Sequence, residues 1–114
     1  MSENENVQEP TTPIGIQPAA GSTKVVKVAI KEALNNKAKI VKTARVWIGN
    51  DAANQIDKYF TKATPTLNKL LKYESLAWKT VQDQVRNGLV AAKVKRTTAE
   101  SVAYWIRLAL EWMI

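Results

Sequence analysis

Along most of this chain, apolar residues recur at the three- and four-residue spacing of an amphipathic α-helix, with charged and amide side chains between them. The longest coherent stripe runs from Lys24 to Ile48. At about 100° per residue, Val25, Val26, Ala29, Ile30, Ala33, Ile40, Val41, Ala44, Trp47 and Ile48 share one broad sector. Lys24, Lys27, Lys31, Lys42 and Arg45 gather on the opposite one, with Lys39 at its edge. Asn35 and Asn36 cost some helix propensity, yet the stripe keeps its phase across them. The pattern therefore predicts one helix over 23–48, continuous or only locally bent, with Ser22 or Thr23 as N-cap.

At Gly49-Asn50-Asp51 the stripe changes phase, and Ala52, Ala53, Ile56, Tyr59 and Phe60 form a new row. A kink or short turn is expected there, followed by a segment over 51–62 capped by Asn50 or Asp51. Thr64-Pro65 reads as a helix start, because proline at the first helical position sacrifices no hydrogen bond. Leu67, Leu70, Leu71, Ala77, Trp78, Val81, Val85, Leu89 and Ala92 follow at helical spacing and predict a helix over 65–92, continuing past Gly88. Lys79 is placed four residues before Asp83, and Gln82 can reach Arg86. Thr97-x-x-Glu100 has the form of a capping box and predicts a last helix over 98–113. The fold class that results is all-α: a small bundle of three to four amphipathic helices over 23–114, after a disordered N-terminal tail over 1–22.

The tail assignment follows from composition. Pro10, Pro13 and Pro18 prevent a sustained helix, and few apolar groups are present to offset the entropy of ordering. Glu3, Glu5 and Glu9 stand there without any base. The formal charge of +7 thus understates the asymmetry: from Lys24 onward there are 17 bases against 7 acids, or +10. Such a balance favours acidic partners, whether an anionic lipid surface, an acidic protein or nucleic acid.

The face of 24–45 is unusual in detail. Lys27 and Lys31 repel one another, and Glu32 has no base three or four residues further on, so the charge is not neutralised within its own helix. Lys24 and Lys27 also sit at the positive end of the helix dipole. Lys24, Lys27, Lys31, Lys39, Lys42 and Arg45 are therefore the expected contact residues for an acidic partner. Lys93, Lys95 and Arg96 form a second basic cluster, for which cations at a helix C-terminus are an equally good explanation.

Neither cysteine nor histidine is present, which removes disulfides, thiolate or imidazole zinc sites, cysteine nucleophiles and Ser-His-Asp machinery. The carboxylates are scattered, each with a plain cap, surface or ion-pair role, and no glycine-rich phosphate loop occurs. No catalytic residue, metal site or cofactor is expected. There is neither a secretory signal pattern nor a run of about 20 uncharged apolar residues, so the chain reads as cytoplasmic or peripheral to a membrane.

Four tryptophans are more informative. Trp47 and Trp78 lie on apolar stripes and are expected in the core. From Val102 to Ile114 only Arg107 and Glu111 are charged, four residues apart and placed to pair. A helix apolar on nearly all sides must be buried or meet a partner, which makes Trp105, Leu108, Trp112 and Met113 candidates for apolar docking or self-association.

The reading that leads is a non-enzymatic protein binding peripherally at an anionic membrane surface, or acting as an adaptor in a membrane-associated assembly. The alternatives are nucleic-acid binding through the Lys24–Arg45 face, a structural subunit docking through the C-terminal helix, and a membrane-active secreted peptide released by removing the tail. Against a single-strand-binding platform stands the distance in sequence between the greatest charge and the richest aromatic segment.

Overall fold

Ser22 opens the folded part of the chain. Its Oγ accepts from the Val25 amide at 3.3 Å, and helix α1 (Thr23–Asn35) follows. The computed structural model describes residues 22–113, so the expected disorder of the acidic tail lies outside the described residues.

The continuous helix expected over 23–48 is two helices. Asn36 leaves helical geometry (φ −147°, ψ 81°), its amide still donates to Glu32 O, and its Oδ1 accepts from Lys39 N at 3.3 Å, capping α2 (Lys37–Trp47). An asparagine side chain that satisfies the first amides of a new helix offers the backbone an alternative to continuing the old one. The unbroken stripe concealed this, because Ala33 and Ile40 are two full turns apart whether or not the helix between them is interrupted.

The turn after α2 falls where the phase change placed it. Gly49 is the N-cap of α3 (Asn50–Leu70), with no side-chain cap and φ 146°, a conformation that favours glycine. Neither Asn50 nor Asp51 acts as the cap. Helix α3 then runs straight through Thr64-Pro65, contrary to the expected start. The Thr64 hydroxyl donates to Phe60 O at 3.0 Å, and Asn68 Nδ2 donates to Thr64 O at 3.2 Å. An interior proline costs about 3 kcal/mol. Burying a leucine contributes roughly 1.5–3 kcal/mol, and continuing the helix keeps both Leu67 and Leu70 on the buried row of Ile56, Phe60 and Ala63. Burial outweighs the proline.

The break comes instead at 71–77, where Leu76 is buried and its amide donates to Thr23 Oγ1 at 3.1 Å, tying the loop to the start of α1. Helix α4 (Trp78–Ala91) begins after it. Leu70 and Ala77 are again seven residues apart, so periodicity once more bridged a gap. Gly88 is interior to α4, and a β-carbon there would clash with the Thr66 side chain of α3, at Oγ1 first. The glycine thus permits the close crossing of the two helices.

Helix α4 ends in a Schellman motif: Val94 N donates to Leu89 O and Lys93 N to Val90 O, both at 3.0 Å, with Lys93 at φ 74°. Helix α5 (Arg96–Trp112) starts earlier than the capping box predicted. Its N-cap is Lys95, Thr97 is already helical, and Glu100 faces Arg96 at 3.6 Å. The described residues thus form an all-helical bundle of five helices rather than three to four, with no strand among them.

Helix α5 packs against each of the other four. Ala99, Val102, Ala103, Ile106, Ala109 and Leu110 are buried along it, which accounts for most of its apolar composition. They join Val26, Ile30, Ile40, Ala44, Ile56, Leu67, Val81 and Val85 in one core cluster. Trp78 is in that core as expected, with its Nε1 buried and unpartnered.

Candidate interaction surface

Each of the first two helices turns its bases away from the core. Opposite the buried stripe of α1 (Val26, Ala29, Ile30, Ala33) lie Lys24, Val28 and Lys31, all exposed, with Lys27 half-buried at the flank. Opposite the buried Ile40 and Ala44 of α2 lie Lys39, Lys42, Arg45 and Val46, all exposed. The two faces share a pattern: a lysine followed four residues later by an exposed valine, Lys24 and Val28, Lys42 and Val46. Val46 is 66% exposed.

Neutralisation of this surface is sparse. Lys39 Nζ donates to Glu32 Oε1 at 3.0 Å, a pairing across the Asn36 break that a search within one helix misses. Lys37 pairs with Asp57 of α3 at 3.0 Å. Among the described residues, Lys24, Lys27, Lys31, Lys42 and Arg45 have no carboxylate within ion-pairing distance. Arg45 is instead held by amides: its Nη1 donates to Asn50 Oδ1 at 3.1 Å and its Nη2 to Asn54 Oδ1 at 3.4 Å.

At the end of α2 the core stops. Trp47 has the phase of the buried stripe and is the last residue of α2, but it is the next side chain, Ile48, that packs against the core. It is 59% exposed, which corrects its expected place in the core. Its ring stacks on Trp112 from the end of α5, with centroids 4.6 Å apart and planes within 4°. Trp112 is itself 50% exposed. Parallel stacking of two indoles buries one face of each and leaves the others at the surface. The fold therefore brings the end of the basic helix α2 against the aromatic C-terminal end of α5, distant in sequence but adjacent in space, with Trp47 in the phase of the buried stripe and the bases on the other side of α2.

The remaining candidates divide. Trp105, Leu108 and Met113 are half-buried, with Trp105 and Met113 packed against the core. Of the four proposed apolar docking residues, Trp112 is the one that is exposed. Lys93, Lys95 and Arg96 are exposed at the α4–α5 connection, but the last two cap and begin α5 rather than end α4. They therefore stand where the helix dipole disfavours them, and only Lys93 belongs to a helix C-terminus. Arg86 pairs with Asp83 and bonds Asn87, while Gln82 accepts from Arg107, so the expected Gln82–Arg86 contact is replaced.

Two open clefts flank these elements. One, of about 350 Å³, lies between α2 and α3 and is lined by Lys37, Ala38, Val41, Lys42, Arg45 and Asp57. The other, of about 280 Å³, lies between α3 and α5 and is lined by Gln55, Thr97, Thr98, Ser101, Val102 and Trp105. No group of three metal-ligating side chains occurs among the described residues, and none of their helices is long and apolar enough to cross a membrane.

Fold and surface together define a five-helix all-α bundle in which α1 and α2 each turn bases to solvent and α2 ends at a stacked pair of tryptophans. Residues 19–113 match the family described as uncharacterised protein YqxI, and the chain belongs to that family. No curated protein and no solved structure matches it.

Proposed function

We propose that this is a non-enzymatic protein that binds peripherally to anionic membrane surfaces through the solvent face of α1 and α2. The observation that carries the reading is the exposed Trp47–Trp112 stack at the end of a basic helix. Indole suits the boundary between head groups and acyl chains, because its body is apolar and its N–H remains hydrated. Lys24, Lys31, Lys42 and Arg45 supply attraction to anionic lipid at about 1 kcal/mol each. Val28 and Val46 add apolar contact between them.

Nucleic-acid binding is the second reading, favoured by the same proximity of bases and indoles. It is weaker because the two rings cover each other, leaving one free face per indole for a base.

Tryptophan fluorescence separates the two. Titration with vesicles containing phosphatidylglycerol at low salt is expected to shift the emission to the blue, and phosphatidylcholine vesicles are expected to leave it unchanged. A spectrum insensitive to both, with quenching by single-stranded oligonucleotide, would transfer the surface to nucleic acid.

A further inference from the structure

We propose that the cleft between α2 and α3 is a binding site for a phosphate monoester, with Arg45 and Lys42 as its ligands. The two helices run antiparallel there: Arg45, near the end of α2, reaches Asn50 and Asn54 at the start of α3, while Lys37, at the start of α2, reaches Asp57 further along. Lys37, Val41 and Arg45 are four residues apart on α2, so they line one flank of the cleft.

The manner in which Arg45 is held is the decisive feature. An arginine fixed by a carboxylate has its charge cancelled where it is fixed. Here both acceptors are neutral amide oxygens, so the guanidinium is oriented and its charge retained. Two of its five N–H groups are engaged by the asparagines, which leaves three to grip a planar or tetrahedral oxyanion. Lys42 stands three residues away on the same cleft and adds a second uncompensated charge. Lys37 and Asp57 cancel one another at 3.0 Å and set the far wall.

A residual charge of +2 fits a monoester, which carries about −1.5 to −2 near neutral pH, better than a singly charged diester. At about 350 Å³, the cleft lies at the small end of ligand sites, sized for a head group or a small phosphate rather than an extended ligand. Ala38 and Val41 also line it and bring no competing polar side chain.

Resting on the membrane reading, the site prefers phosphatidic acid among anionic lipids. The same chemistry serves a soluble phosphate, and the experiment has an arm for each. In solution, inorganic phosphate replaces chloride at constant ionic strength while amide resonances are followed by NMR. Saturable shifts confined to 37–45 and 50–57 are expected. In the vesicle arm, phosphatidic acid is compared with phosphatidylglycerol at matched surface charge, and a preference for the former is expected.

Arg45→Gln should weaken phosphate or phosphatidic acid binding about tenfold, the range of a charged hydrogen-bond partner. Lys24→Gln, the same charge change on exposed α1, should act on all anionic vesicles alike. Asp57→Asn removes the carboxylate and should tighten binding about threefold, a gain that a folding defect cannot produce. Absence of localised phosphate shifts together with equal affinity for the two lipids would overturn the site, as would equal effects of Arg45→Gln and Lys24→Gln in both arms. Equal, salt-sensitive binding of both lipids without phosphate shifts removes the cleft and leaves the membrane reading standing. Localised phosphate shifts without any vesicle binding do the reverse.

Discussion

Between Thr23 and Trp47, α1 and α2 carry seven bases and one acid, while α4, α5 and the connection between them carry six bases and three acids. The second set is organised for the fold. Every one of its acids meets a base of its own helix: Asp83 with Lys79 and Arg86, Glu100 with Arg96, Glu111 with Arg107. The last pair is the most enclosed, with side chains 22% and 14% exposed and a distance of 2.7 Å, and Arg107 Nε also donates to Gln82 on α4 at 3.0 Å. In α1 and α2, two lysines find a carboxylate, one across a helix break and one on another helix. The same bundle therefore shows how charge is placed when it supports packing, and the first helix pair departs from that pattern. Most of its bases meet no carboxylate among the described residues, and Lys24 and Lys27 stand at the unfavourable end of the α1 dipole.

Neutralising four bases in each of the two regions separates them most strongly. Lys24, Lys31, Lys42 and Arg45 replaced together by Gln should lower affinity for anionic vesicles about a thousandfold, at about 1 kcal/mol per charge. Lys79, Lys93, Lys95 and Arg96 replaced together should cost less than about tenfold. Similar losses would reduce the effect to net charge.

Stability should show the opposite asymmetry. Arg107→Ala leaves Glu111 half-enclosed and Gln82 without its donor, and is expected to cost about 2 kcal/mol in urea denaturation. Lys42→Ala should stay within about 0.5 kcal/mol. Equal costs would dissolve the distinction between structural and available charge.

Trp47→Ala loses a stacking contact of about 0.5–1.5 kcal/mol and an exposed indole. Vesicle affinity should fall by about tenfold while the cooperative unfolding transition is retained. A vesicle affinity unchanged by this substitution would remove the tryptophan stack from the binding surface.

The smallest effect expected has the reverse sign. Lys93 occupies the left-handed position of the Schellman motif, where a side chain costs roughly 1 kcal/mol. Lys93→Gly should raise the thermal midpoint by a few degrees, with vesicle binding nearly unchanged.

Much of the helical content was legible in the sequence, because burial of a stripe is a local, periodic demand. The breaks were harder, and for one reason: Ala33 to Ile40 and Leu70 to Ala77 are both seven-residue steps, so two separate helices mimic one. What decided them was not periodic. Asn36 found an amide to cap, and Leu76 found Thr23, 53 residues away. Pro65 misled in the other direction, since its local cost was readable but the burial of Leu67 and Leu70 that offsets it was not. The basic face was visible because it needs only spacing and sign. The Trp47–Trp112 stack was not, because stripe phase says which way a side chain points and not where the core ends. The one available hint was that Trp47 directly precedes Ile48 and the Gly49 turn.

On the proposed reading, the bases of α1 and α2 that meet no carboxylate among the described residues bind an anionic membrane surface. Sedimentation of the full chain with phosphatidylglycerol and with phosphatidylcholine vesicles, at low and at high salt, tests it most directly. Co-sedimentation with the anionic vesicles alone, lost as salt rises, is the result predicted. Equal partitioning with both, or with neither at low salt, would contradict it.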